Sequence, residues 1–414
     1  MSDADTTVRT SAVRLASFER ARDAWPLDPA IVHLNHGSFG AVPREVVAAQ
    51  DALRREADLS PIGWFPRIAE KVEAARAATA PFVGADAADT AFVPNASAAA
   101  TVVYNALQLT ADDEILVTDH GYGAVTMGAA RLARRFGARL RTVPLGLVDD
   151  AETILARFDE AIGPRTRLIV VDQITSSTAR RFPTAEITAL AHTRGARVLV
   201  DGAHAPGLVA DAATVGGGDW WVGNLHKWPC APRGSALFVT RAADRDDLWP
   251  LIDSWAAEDA FPARFDTQGT IDATTYLATP ASIEFIESEF GWHNARQAMA
   301  QMADAGAEII AEGLRPYGDE DPLTPLPSPV PSMRLVRLPL GLGSTREEAD
   351  ALRMDLLDET GVETAFTSFR GVGYFRLSAH LYTEASDFEA FVERCIPTIL
   401  RRAGIRSADA VVVS

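Results

Sequence analysis

Between residues 90 and 240 the chain alternates two hydrophobic rhythms. Short apolar runs (TAFVPN, EILVTDH, RTVPL, RLIVVDQ and RVLVDGAH) have the length and β-branched content of buried strands. Between them, residues 98–109, 124–136, 151–162 and 184–194 repeat apolar positions every three or four residues, which predicts helices. Such alternation predicts an α/β domain built on a mostly parallel sheet covered on both faces. Upstream, REVVAAQDALRREAD after Pro43 and residues 67–82 predict two more helices. Downstream, GSALFVT predicts another strand, and one long helix is expected after Thr279. A Pro-rich connector at 321–332 leads into SMRLVRLPL, a helix over 345–360, GYFRLSAHLY and a helix from Ser386, a smaller α+β unit. The expected organisation is an N-terminal segment, 1–42, packing on the small domain; a large domain, 43–285; and a small C-terminal domain, 286–414.

Strand ends carry the polar residues Asn95, Asp119, His120, Gln173, Asp201 and His204. In an open α/β sheet ligands bind outside the carboxyl ends of the strands, so these ends predict one crevice. Charge narrows the partners. A net charge of −17 and a pI near 4.9 argue against nucleic acid, whose binding runs on basic surface. Two cysteines, Cys230 and Cys395, form no disulfide framework and suit a reducing cytoplasm. The first fifteen residues lack the pattern of a signal peptide, and no apolar run reaches membrane-spanning length.

Of the 39 basic residues only Lys71 and Lys227 are lysine. Codon bias can produce that imbalance, so context must separate the two. Lys71 lies in a helical run and reads as a solvated helix residue. Lys227 lies among Trp220, Trp221, Val222, Leu225 and Trp228, an apolar setting that disfavours the ammonium and suits an amine that attacks a carbonyl. Asp201 ends the apolar strand RVLV upstream of it. A lysine and a buried carboxylate are what a pyridine-aldehyde cofactor requires: the amine for the aldehyde, the carboxylate to keep the ring nitrogen protonated. PNASAAATVV offers the third requirement, a strand leading to a helix start whose free amides and Ser97 suit a phosphate.

The succession NHGSFG, PNASAAAT, DHGYGAV, DQITSSTA, VDGAHAPG, GNLHKW, QGT and FRLSAHLY resembles the aminotransferase class V group of pyridoxal phosphate enzymes, and within it isopenicillin N epimerase-like proteins. The resemblance implies a fold-type I architecture with a seven-stranded-type sheet, pyridoxal 5′-phosphate as cofactor and a homodimer. It implies that Lys227 forms the Schiff base and moves protons at the substrate α-carbon, that Asp201 holds the pyridinium, and that His204 lies by the ring. It places Tyr122 on the ring face, Gln173 and Thr175 at the phenolic oxygen, and Ala96, Ser97, Asn224 and His226 at the phosphate. Thr270 would reach the phosphate of the neighbouring subunit. Arg376 would clamp the substrate carboxylate, with His36 also on the substrate side.

Several reactions remain open. Epimerisation requires a second base, for which His36, Tyr122 and Tyr276 are candidates; β-elimination requires only Lys227 and a β-leaving group; decarboxylation requires a turned carboxylate. Phe39, Trp64, Phe65, Trp255 and Tyr276 suggest a bulky substrate. The leading expectation is action at the α-carbon of a bulky amino acid or conjugate in natural-product biosynthesis. C–S β-lyase or decarboxylating deaminase activity on a cysteine S-conjugate is the alternative, and aminotransfer a remote one. Residues 364–374 carry no cysteine, which excludes desulfurase chemistry of the kind that uses a nucleophilic thiol there. No HxH or HExxH spacing supports a metal hydrolase using His120, His204, His226, Asp119 or Asp201, and no Gly-rich turn after the first strand supports a nicotinamide dehydrogenase.

Overall fold

A computed structural model describes residues 21–339 and 341–404. The expectations for the first twenty residues lie outside the described residues. Among the described residues twelve strands run in chain order: β1 (Val32–His33), β2 (Thr90–Val93), β3 (Glu114–Thr118), β4 (Arg139–Val143), β5 (Thr166–Asp172), β6 (Arg197–Asp201), β7 (Trp220–Asn224), β8 (Ala236–Thr240), β9 (Met333–Arg337), β10 (Val362–Glu363), β11 (Phe366–Phe369) and β12 (Val372–Ser378). The chain divides into two compact units. One comprises 42–176 and 180–289; the other comprises 177–179, 290–404 and the described N-terminal residues up to 41.

The larger unit is built on a seven-stranded sheet of order β2-β8-β7-β6-β5-β3-β4. β8 runs antiparallel to β2 and β7, and the other pairings are parallel. It is the α/β, mostly parallel sheet that the alternating rhythms predict. One face is a continuous apolar layer. Leu168 and Val170 of β5, Leu199 of β6, and Trp220 and Val222 of β7 pack there against residues of the helices Ala96–Ala106 and Gly123–Phe136.

Four elements differ from the sequence reading. Trp220–Asn224 is a full strand; its two bulky tryptophans on opposite faces hide the period of two. RTVPL starts two residues early, at Arg139. The long helix after Thr279 is two, Thr279–Glu289 and Trp292–Leu314, because Gly291 takes the left-handed φ of +71°. The segment before Arg376 contains β11.

In the smaller unit β12 lies between β11 and β9 in an antiparallel sheet, and β1 pairs in parallel with β10. Helix Arg346–Thr360 starts with a capping box of Thr345 and Glu348. Its buried face joins Trp292–Leu314 in a core with Phe375, Phe388 and Phe391.

Candidate active site

Side chains along a strand alternate between faces. The residues at the apolar layer in β5, β6 and β7 are 168 and 170, 199, and 220 and 222. The same alternation therefore puts Asp172, Asp201 and Asn224, the last residues of three neighbouring strands, on that face. All three are buried, and Asp172 and Asp201 are register partners. Asp201 Oδ1 accepts from the Ala203 N–H at 3.0 Å. Its Oδ2 has no hydrogen-bond partner among the described residues. Burial raises the Asp201 pKa, opposed by the Ala203 bond and by Lys227. Burial and then the Asp201 charge push Asp172 well above the carboxylate range, against the Tyr122 N–H and Lys227.

Lys227 sits in the loop after β7. That loop is closed by main-chain bonds from Leu225 to Ser235, from Ala231 to Leu225 and from Cys230 to Lys227, with Cys230 at φ +62°. The lysine is 9% exposed, and its Nζ lies 2.9 Å from Nε2 of the buried His204. The loop fixes the amine's main chain, and His204 fixes its tip.

The helix Ala96–Ala106 begins close by. Asn95 caps it, its Oδ1 accepting from Ala98 N–H at 2.9 Å. Asn224 Oδ1 accepts from Ala96 N–H at 3.0 Å, tying the helix start to the end of β7. The Ala96 amide and the Asn224 carbonyl thus serve each other, and Ser97, half-buried, opens the helix. His226 Nδ1 is 2.9 Å from the Ser235 carbonyl. A carbonyl only accepts, so Nδ1 carries the proton. Burial first, then the charges of Lys227 and Arg233, push the ring pKa down to about 4, so the imidazole is neutral. Tyr122 precedes the helix Gly123–Phe136 and is 46% exposed.

Gln173 departs from its expected place. Alternation turns it to the opposite face from Asp172. There its Nε2 donates to the Ala212 carbonyl at 2.9 Å and its Oε1 accepts from Trp221 Nε1 at 2.8 Å. The Trp221 indole fits because its neighbours are glycines: a Cβ at Gly223 would lie 2.2 Å from Trp221 Cη2, and one at Gly202 would lie 2.5 Å from its Nε1. Gln173 belongs to this layer, where both its amide oxygen and its amide nitrogen are bonded. Thr175 is buried, its Oγ1 accepting from Arg180 N–H at 2.8 Å. Thr270 is exposed. Tyr276 stacks on Phe92 with centroids 5.0 Å apart, and burial raises its phenol, which makes it a core residue rather than a base. Lys71 is less solvated than expected: it pairs with Glu56 at 2.9 Å and lies 4.6 Å over the Trp64 ring. Asp172 is the residue that sequence reading missed. The signal in the sequence is the alternation Leu168, Val170, Asp172, which puts Asp172 on the face of Asp201.

In the smaller unit Arg376 is a buried guanidinium on β12. Its Nη2 donates to Asn35 Oδ1 at 3.1 Å and to Ser38 Oγ at 2.9 Å, both neutral acceptors. Burial, helped by Arg353, lowers its pKa to about 10, which still leaves it charged at neutral pH. His36 Nδ1 is 2.8 Å from the Tyr382 hydroxyl, and its ring stacks on His380 at 4.0 Å.

Asp201 Oδ2 fits a ring N–H⁺, the Lys227 amine fits an aldehyde, and the Ala96–Ala106 N-terminus fits a phosphate, all within the larger unit. Comparisons with known proteins agree. The aminotransferase class-V family model matches residues 65–316. Isopenicillin N epimerase of Streptomyces clavuligerus is 32% identical over 398 residues, covering 92% of this chain and 98% of that protein. A putative L-cysteine desulfhydrase of Oryza sativa subsp. japonica is 28% identical, covering 87% of this chain and 81% of its own length. Among solved structures, the cystine C–S lyase C-DES in complex with cysteine persulfide superposes with a TM-score of 0.74 at 20% identity, covering 88% of this chain and 97% of that one; that likeness bears on the fold alone. The chain belongs to the aminotransferase class-V family of enzymes, and its cofactor is pyridoxal phosphate.

Proposed function

We propose that this enzyme moves a proton at the α-carbon of a bulky amino acid or amino-acid conjugate, in the manner of an isopenicillin N epimerase, within natural-product biosynthesis. The observation that carries this reading is the pairing, in one buried site, of the unpartnered Asp201 Oδ2 with the Lys227 amine held by His204. The relative at 32% identity along nearly its whole length points to the same substrate chemistry. Bound here, pyridoxal phosphate supplies an aldehyde that condenses with amines and a protonated ring that draws electrons from the substrate α-carbon.

The chain's own residues divide the remaining work. Asp201 holds the proton on the ring nitrogen, and burial makes its charge count. Ser97 and the start of the Ala96–Ala106 helix take the phosphate, with Asn224 fixing that start and His226 beside Lys227 in the loop. Tyr122 covers a ring face, and Thr175 serves the phenolic side. Lys227 takes and returns a proton at the α-carbon, with His204 aligning its Nζ. Arg376 binds the substrate carboxylate through its planar fork, held in place by Asn35 and Ser38. The His36–Tyr382 pair supplies a second proton-carrying group. In a cytoplasmic homodimer, Thr270 reaches the neighbouring phosphate.

Among the described residues no helix is long and apolar enough to cross a membrane. Cysteine-lyase relatives favour one second reading, C–S β-elimination from a cysteine conjugate. Incubating bulky amino-acid conjugates with the enzyme in deuterated water separates the two. Label at the α-carbon with inverted configuration supports the epimerase reading; keto acid plus a thiol, without inversion, replaces it with the lyase.

A further inference from the structure

The loop after β4, residues 144–150, is gripped from two sides within the larger unit. From the end of β3, Asp119 Oδ1 accepts the Leu145 N–H at 2.9 Å, and His120 Nε2 lies 3.0 Å from the Leu145 carbonyl. A carbonyl only accepts, so His120 Nε2 carries the proton. From beyond the end of β5 comes Arg180, whose side chain is buried at 1% exposure. Its Nη1 donates to the Gly146 carbonyl at 2.6 Å and its Nη2 to the Asp149 carbonyl. The planar fork lets one side chain meet both carbonyls at once. The acids nearest its charge, Asp149 and Asp150, bond elsewhere: Asp149 Oδ2 accepts the Gly146 N–H at 2.6 Å, and Asp150 caps the helix Ala151–Ala161. Phe182 meets both grips, with the His120 ring edge-on at 5.3 Å and the Arg180 guanidinium 5.5 Å from its ring centre. Each grip adjoins a residue given to the cofactor above. Tyr122 follows His120 by two positions. Thr175 is bonded to Arg180 twice: its N–H donates to the Arg180 carbonyl at 2.8 Å, and its Oγ1 accepts the Arg180 N–H at 2.8 Å. β3 and β5 are neighbours in the sheet, so this one loop joins the two strand ends that carry Tyr122 and Thr175.

We propose that Arg180 is a positioning residue, which with Asp119 and His120 clamps the loop after β4 and so fixes Thr175 relative to Tyr122. The two contacts that seat the cofactor ring then have a spacing set by the loop, and Asp119 and His120 serve the site through it. The inference rests on the reading that Tyr122 and Thr175 lie against that ring.

Holoenzymes carrying Arg180→Met, Arg180→Lys, Tyr122→Ala or Thr175→Val test it, with Arg141→Met as the control. Arg141 pairs at 2.9 Å with Glu114, at the opposite end of β3 from Asp119, so its loss weakens the sheet away from the loop. The readouts are hydrogen exchange at the Leu145 and Thr175 amides, the dissociation constant for pyridoxal phosphate, the visible circular dichroism of the bound cofactor, which reports ring orientation, and the thermal midpoint. A displacement of about 1 Å costs about 10²-fold in a preorganised site, so Arg180→Met should weaken cofactor affinity about tenfold or more and lower the dichroism. Both amides should exchange faster. Arg180→Lys keeps the charge without the fork and should fall between Arg180→Met and wild type; it carries the test if Arg180→Met does not fold. Arg141→Met should lower the midpoint with affinity and dichroism at wild-type values. Unchanged exchange at both amides in the Arg180 variants overturns the proposal. So does faster exchange with affinity and dichroism unchanged, which makes Arg180 a purely structural residue. If Tyr122→Ala and Thr175→Val both leave the dichroism unchanged, the ring-contact reading has failed, while faster exchange in the Arg180 variants still establishes the clamp.

Discussion

Gln173 separates a structural role from a cofactor role cleanly. Its amide joins β5 to Trp221 Nε1 at 2.8 Å and to the Ala212 carbonyl at 2.9 Å, in a layer with Gln173 and Trp221 both buried. Replacement by alanine leaves one indole N–H and one carbonyl buried without partners. Each such group costs about 1–3 kcal/mol, so the loss is about 2–6 kcal/mol. In a domain of 150–250 residues one kcal/mol moves the midpoint by about 2–4 °C, so thermal unfolding of the larger unit should fall by at least about 4 °C. The cofactor should not notice. A group bonded to the phenolic oxygen tunes the visible absorbance and its pH titration, and Gln173→Ala should leave both within error of wild type. Differential scanning calorimetry alongside a spectrophotometric pH titration makes the check. An unchanged midpoint with a shifted titration would refute the placement of Gln173 on the far face and restore it to the cofactor.

Asp201→Ala should still bind cofactor but lose at least about 10²-fold in kcat, the usual effect of removing an electrostatic group aimed at developing charge; full activity would remove the pyridinium argument. Arg376→Lys should raise KM for the amino-acid substrate by about tenfold or more without rescue by charge alone, as steady-state kinetics will show, because an ammonium lacks the planar fork. His226 makes the apoprotein acid-sensitive. Its pKa is about 4 folded against 6.5 for an ordinary histidine, so the unfolded chain binds the extra proton; the stabilisation is complete above pH 6.5 and disappears as pH falls towards 4. Denaturant titrations of apoprotein should therefore show wild type losing about 3 kcal/mol more than His226→Asn across that window, and parallel curves would contradict the neutral imidazole.

The sheet was legible because its strands are short apolar runs punctuated by polar ends, and the parallel arrangement followed from the helices between them. β7 was not, since Trp220 and Trp221 put bulk on both faces. The break at Gly291 was visible only as a glycine in an otherwise continuous helical pattern. At the site, Asp201 and Lys227 could be found from residue type and context alone. The helix start proposed for the phosphate was legible, but not the fact that Asn224 acts on the Ala96 amide, since a bond between residues 128 positions apart depends on the strand order. Gln173 and Asp172 lie on opposite faces for one physical reason. Adjacent strand residues point to opposite faces, and the choice between them required knowing which face the helices Ala96–Ala106 and Gly123–Phe136 cover.

The central claim is that Lys227 is the amine that carries the cofactor, and the chain's composition makes it simple to test. There are two lysines. Borohydride reduction of the holoenzyme followed by peptide mapping should find the pyridoxyl group on Lys227, in the peptide containing Trp228, with Lys71 unmodified and the label absent from Lys227→Ala. Pyridoxyl on Lys71, or undiminished labelling of Lys227→Ala, would contradict the account.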